Sequence, residues 1–165
     1  MRVFFDASAL VKRYVAEDGT ELLNELFRQF PRTQMICTMF GILEIISVLA
    51  RKRNDGRLPE QLFAQALIEL NREILDDDDF AIASVDDDLT LSALPLIVRY
   101  NINATDAIVL RSCLNLHALL TEQNDRLIFW SCDKRLLRAA QAENTEVFDP
   151  EVETLSRLFT LHSIS

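Results

Sequence analysis

The sequence predicts an α/β fold: a central parallel sheet of about five strands flanked by helices. Three observations carry that expectation. Short apolar runs alternate with longer amphipathic ones along the chain, strand then helix, which is the order that builds a parallel sheet. Only three glycines and four prolines occur in 165 residues, too few for a loop-rich all-β chain or a low-complexity one. Apolar residues make up 49% and charged residues 26%, the composition of a chain that buries a core. The length suits one domain over residues 1–165.

Each element has a local reason. Val3-Phe4-Phe5 reads as a buried strand within Arg2 to Phe5, followed by a helix from about Ala7 to Val15. Glu17-Asp18-Gly19 breaks that helix, and a second runs from about Thr20 to Gln29. Pro31 separates it from a second strand, Gln34 to Cys37. Thr38 suits the N-cap of a long helix ending at Asn54-Asp55-Gly56, where Gly56 suits the left-handed position. Pro59 fits the first turn of the next helix, which Leu62, Ala66, Ile68 and Leu70 make amphipathic up to about Leu75. Phe80 to Val85 is the third strand, bracketed by Asp76–Asp79 and Asp86–Asp88. Helices follow from about Leu89 to Tyr100 and from about Thr105 to Glu122. Leu127 to Ser131 is the fourth strand, Lys134 to about Glu143 a helix, and Glu146 to Phe148 the fifth strand. Pro150 precedes a C-terminal helical segment.

The composition also excludes function classes. A net charge of −9 argues against gripping nucleic acid by bulk charge, though it leaves room for a local basic patch. Cys37, Cys113 and Cys132 are far apart and odd in number, a poor disulfide scaffold with no C-x-x-C motif. The N-terminus reaches a charge at Asp6, so it has no signal-peptide core, and the most apolar helical run, Phe40 to Ala50, is too short to span a bilayer. A cytoplasmic, membrane-free protein is expected.

In parallel sheets, ligands bind beyond the carboxyl ends of the strands. Asp6 ends the first strand, Asp133 follows the fourth, Glu44 lies about two turns into the helix after the second, and Asp106 opens a helix in Asn103-Ala-Thr-Asp106. Four carboxylates converging on one edge repel: two charges about 4 Å apart cost roughly 4 kcal/mol at an effective dielectric near 20. Protonation relieves the repulsion, and so does a divalent cation, for which all-oxygen ligands select Mg²⁺ or Mn²⁺ over zinc. Taken singly, Asp6 and Asp133 read equally well as helix N-caps and Asp106 as a first-turn acid. Glu44 is different, because it sits in the apolar stretch Gly-Ile-Leu-Glu-Ile-Ile-Ser-Val-Leu-Ala and needs a partner: a metal, a proton, or Arg51 on the same helical face.

The chain resembles the PIN-domain family, of the VapC-like toxin type. The likeness begins with Asp6-Ala-Ser-Ala-Leu-Val-Lys-Arg-Tyr-Val-Ala-Glu after an apolar strand. It continues in order through Glu44-Ile-Ile-Ser47-Val-Leu-Ala-Arg51, Thr105-Asp106-Ala107-Ile108, and Ser131-Cys-Asp133-Lys-Arg-Leu-Leu with Ala139-Ala140 and Phe148-Asp-Pro150. The resemblance implies a metal-dependent ribonuclease in which Asp6, Glu44, Asp106 and Asp133 form an acidic pocket for Mg²⁺ or Mn²⁺. It also implies RNA as substrate, a homodimer and an antitoxin-like protein partner. Ser8 and Ser131 would orient carboxylates or waters beside Asp6 and Asp133. The chain departs from the family pattern at Ser131, where threonine is commoner, at Val109, where many members have histidine, and in its acid-rich connectors.

Two basic patches stand downstream of proposed metal ligands: Arg51-Lys52-Arg53 with Arg57, and Lys12-Arg13. Either suits an RNA backbone or a solvated helix face. The Asp runs lack the glycine and terminal glutamate of a calcium loop at the right spacing. Neither His117 nor His162 has a nucleophile at recognisable spacing, and the first strand lacks the second acid of an Asp-x-Asp phosphotransferase. The remaining alternative to catalysis is a PIN-like module acting by binding a protein partner.

Overall fold

The computed structural model describes residues 1–163, with side chains through Leu161, so the side chain of His162 lies outside the described residues. Five strands form one all-parallel sheet: β1 (Arg2–Phe5), β2 (Met35–Thr38), β3 (Ala81–Ala83), β4 (Leu127–Trp130) and β5 (Glu146–Phe148). Their spatial order is β3-β2-β1-β4-β5. The first strand is therefore the middle one, with Phe4 opposite Ile36 on one side and Phe5 opposite Trp130 on the other.

β1 is apolar without alternation because helices bury both faces of the sheet. Val3 and Phe5 point to one side, packing with α2 (Thr20–Gln29), α3 (Met39–Asn54), α4 (Glu60–Leu70) and α9 (Leu155–Ser163) through residues such as Leu26, Ile45, Leu70 and Leu158. Phe4 points to the other, among Leu96 of α6 (Leu94–Tyr100), Leu110 of α7 (Ala104–Glu122) and Leu136 of α8 (Lys134–Ala142). Aromatic rings knit the first core: Phe5 meets Trp130 edge-on at 5.9 Å, and Trp130 stacks on Phe148 at 4.1 Å.

The caps read from the sequence are present. Thr38 Oγ1 accepts from the Gly41 amide at 3.1 Å, and Gly56 takes a left-handed φ of 73°. Three helices differ from expectation. The first ends early, as α1 (Ala7–Leu10) followed by a tighter 3₁₀ turn over Val11–Arg13. The run from Leu89 to Tyr100 is two helices, α5 (Asp87–Ser92) and α6, because Pro95 in the first turn of α6 has no amide to continue the ladder. The helix from Glu60 widens into a π turn over Asn71–Leu75, which carries Glu73. The Asp runs are connectors: Asp77 accepts from the Asp79 amide and Asp86 caps α5. Cys37, Cys113 and Cys132 are free thiols, the first two buried.

This topology positions the site. After β1 the chain builds outward through β2 to β3, then crosses back to lay β4 on the other side of β1. The loops after β1 and β4 diverge, and the crevice between them is where ligands bind in such sheets.

Candidate metal centre

Asp6 follows β1 directly, caps α1 and is 3% exposed. Its Oδ2 accepts from the Ser8 amide at 3.2 Å, from Ser8 Oγ at 2.5 Å and from Ser131 Oγ at 3.0 Å. Each hydroxyl is itself held by the loop after β4. Ser8 Oγ accepts from the Cys132 amide at 2.8 Å, and Ser131 Oγ accepts from the Asp133 amide at 3.0 Å. A hydroxyl that accepts from an amide still has its one proton to give, and both protons are directed to Asp6. The two serines thus tie the ends of β1 and β4 together through one carboxylate oxygen.

The other acids arrive on helices. Glu44 lies in the second turn of α3, half-buried, and its Oε2 is buried with no hydrogen-bond partner among the described residues. Asp106 is in the first turn of α7, 7% exposed, where Asn103 Oδ1 caps its amide at 2.8 Å. Carboxylate oxygens of Asp6, Glu44 and Asp106 all lie within 4.8 Å of one another. Asp133 takes a different position. It caps α8, its Oδ1 accepting from the amides of Arg135 at 2.7 Å and Leu136 at 3.1 Å, and it acts on Glu44 and Asp106 through its charge.

The crowding registers as displaced acidities. Burial pushes the Asp6 carboxyl up, against the opposing hydrogen bonds of Ser8 and Ser131. Burial raises Glu44 too, and the charges of Asp6 and Asp133 add to it while Arg51 opposes. Asp106 is pushed up to about 6, by burial first and then by the charges of Asp6, Asp133 and Glu44. Carboxylates held this close raise one another's pKa, and positive charge placed among them removes the conflict. The donor set is oxygen only, like-charged and has an orphaned buried atom in Glu44 Oε2, so it fits a hard divalent cation.

The expected basic residues divide. Arg51 is exposed and shares with Glu44, Phe40, Leu43, Ser47 and Thr105 the wall of a cleft of about 280 Å³. Arg53 lies over the Phe63 ring at 4.4 Å, with Glu60 at 3.8 Å. Lys52 is bound to Glu17. Contrary to expectation, Lys12 and Arg13 do not form an outward basic patch. Lys12 is 3% exposed, its ammonium on Glu151 at 2.6 Å and Glu17 at 3.6 Å. Arg13 holds Glu73 through two nitrogens, at 3.0 and 2.7 Å, and Asn24 through a third. Burying the chain between the 3₁₀ turn and its neighbours requires their charges to be paired inside the fold. A second group of possible ligands, Cys132, Asp149 and Glu151, lies beside the site, but Lys134 and Lys12 already neutralise its carboxylates.

The chain matches the PIN domain family over residues 3–142, and it belongs to that family. PIN domains are typically metal-dependent nucleases. No curated protein matches the chain. No described helix is long and apolar enough to cross a membrane.

Proposed function

We propose that this protein is a Mg²⁺- or Mn²⁺-dependent endoribonuclease, a single cytoplasmic domain of residues 1–165 acting as the toxin of a VapC-like toxin–antitoxin pair. The observation that carries the reading is the approach of Asp6, Glu44 and Asp106 to within 4.8 Å, in a chain that belongs to the PIN family. These three residues would hold the ion, and Asp133 adds negative charge to the pocket. When bound, the ion supplies positive charge to the phosphate oxygens and lowers the pKa of an attacking water. Ser8 and Ser131 fix the orientation of the Asp6 carboxylate. Arg51, without an ion pair among the described residues, faces the substrate's phosphate from the cleft wall. Exposed Met39, Phe40 and Leu43 on α3 with Leu62 and Ile68 on α4 support a homodimer face and a groove for an amphipathic antitoxin helix.

The test is cleavage of a mixed tRNA and mRNA pool with Mn²⁺, Mg²⁺ or EDTA, alongside Asp6→Asn. Cleavage is expected with either metal, none with EDTA, and a loss of at least about 100-fold in the variant with its fold unchanged by circular dichroism. Full activity in the variant overturns the carboxylate mechanism. A folded, metal-binding protein that cuts no RNA shifts the reading to a PIN-like module that works by binding a partner.

A further inference from the structure

The loop that supplies Asp133 leads into α8, whose outward face carries three basic residues. Its buried face is Leu136, Leu137, Ala139 and Ala140, which leaves Lys134, Arg135 and Arg138 toward solvent. Lys134 is bound to Asp149. Arg135 and Arg138 have no carboxylate partner among the described residues. Arg138 spends only its Nε, on the Lys134 carbonyl at 3.0 Å. In a chain with a net charge of −9, two unpaired arginines one turn apart stand out against the internal pairing of Lys12, Arg13 and Lys52.

Space accompanies the charge. A groove of about 530 Å³ runs beside Arg138 between α8 and the segment after β5, with Leu137, Val147 and Val152 as its apolar wall and Gln141 at its end. Lys134 and Asp149 cancel within it, and Glu153 adds a carboxylate to its lining. Such a groove takes a flat, neutral ring with hydrogen-bonding edges more readily than a phosphate, while Arg138 in its wall and Arg135, exposed one turn earlier on α8, take phosphates. At 1.5 Å per residue, Arg138 lies about 7.5 Å along the helix from Asp133, within reach of a nucleotide next to the one being cut.

We propose that the exposed face of α8, Arg135 and Arg138 with the groove beside them, is an extended subsite that binds the RNA backbone and an unstacked base adjacent to the scissile phosphate. The proposal rests on the ribonuclease reading and deepens it: α8 adds affinity for RNA beyond the phosphate contact of Arg51, whereas the acids act only at the cut. An acidic protein segment is the competing occupant of the same arginines.

The experiment uses the full chain and a fluorescein-labelled single-stranded RNA oligonucleotide, cleaved with Mn²⁺ at several KCl concentrations. The wild type is compared with the Arg135→Ala/Arg138→Ala double variant and with Arg99→Ala, an arginine bound to Glu143 away from the crevice. Alanine is a strong helix former, and circular dichroism verifies that both variants fold. The double variant is expected to raise KM about tenfold, with little change in kcat, and to lower the slope of log KM against log salt by about 1.4, the value for two lost single-strand phosphate contacts. Arg99→Ala is expected to change neither. Replacement by lysine at both positions is expected to restore the salt slope. An unchanged KM and slope in the double variant overturns the subsite. Absence of cleavage by the wild type overturns the ribonuclease reading itself, so the two failures are distinct.

Discussion

Asp106 shows how a single side chain records the purpose of its surroundings. Its carboxyl is held at about 6 by burial and by three neighbouring acids, against an ordinary value of 3.8. Without metal, the folded protein therefore binds this proton more tightly than the unfolded chain does. Stability from this group is fully present below about 4 and is lost as pH rises through about 6. Asp106→Asn removes the conflict. In EDTA the variant is expected to be about 1–3 kcal/mol more stable than the wild type at pH 7.5 and equal to it at pH 4, as urea melts at the two pH values measure. Excess Mg²⁺ is expected to stabilise the wild type and not the variant, and a variant advantage independent of pH would sink this account. The acids themselves were legible in the sequence because Asp6, Asp106 and Asp133 follow a strand or open a helix, and Glu44 interrupts an apolar helical stretch. The fate of Lys12 and Arg13 was not, because their partners Glu151 and Glu73 lie 139 and 60 positions away. A local reading sees the two cations and not what neutralises them.

Among the elements, strand and helix order was readable from alternating apolar runs, and ends were readable where a cap marks them, as at Thr38 and Gly56. Ends set by contact were not. Nothing local to Leu10 stops α1, and the π turn at Asn71–Leu75 serves Glu73, whose partner Arg13 is far off in sequence. Gly19 combines both kinds of constraint. It precedes α2 with a φ of 91°, and a Cβ there would lie 2.7 Å from the Pro150 carbonyl oxygen. Gly19→Ala is accordingly expected to destabilise the protein by about 2 kcal/mol, from left-handed strain and the clash with the segment after β5, measured by urea or thermal unfolding. Gly56→Ala, whose Cβ would meet nothing within 4 Å, carries only the strain and is expected to cost about half as much.

At the scale of the whole molecule, the family match ends at residue 142, but the core does not. The segment from β5 through α9 lies beyond it, and it contributes Phe148 against Trp130, Glu151 to Lys12, and Leu158 and Leu161 to the first core. Losing one large buried aromatic costs about 3–5 kcal/mol, a large part of an ordinary domain's 5–15 kcal/mol. A chain ending at Ala142 is therefore expected to show no cooperative thermal transition, and a sharp melt from it would overturn this weighting of the C-terminal segment. The central position of β1 has a further consequence. Asp6 is made well before the hydroxyl of Ser131 that steadies it, which comes 125 positions later. Until that stretch has left the ribosome, the first strand lacks one of its two neighbours and the acidic crevice has no second wall. The growing chain thus adds those 125 residues beside ribosomal RNA without an assembled centre, and one terminated before Ser131 never acquires it.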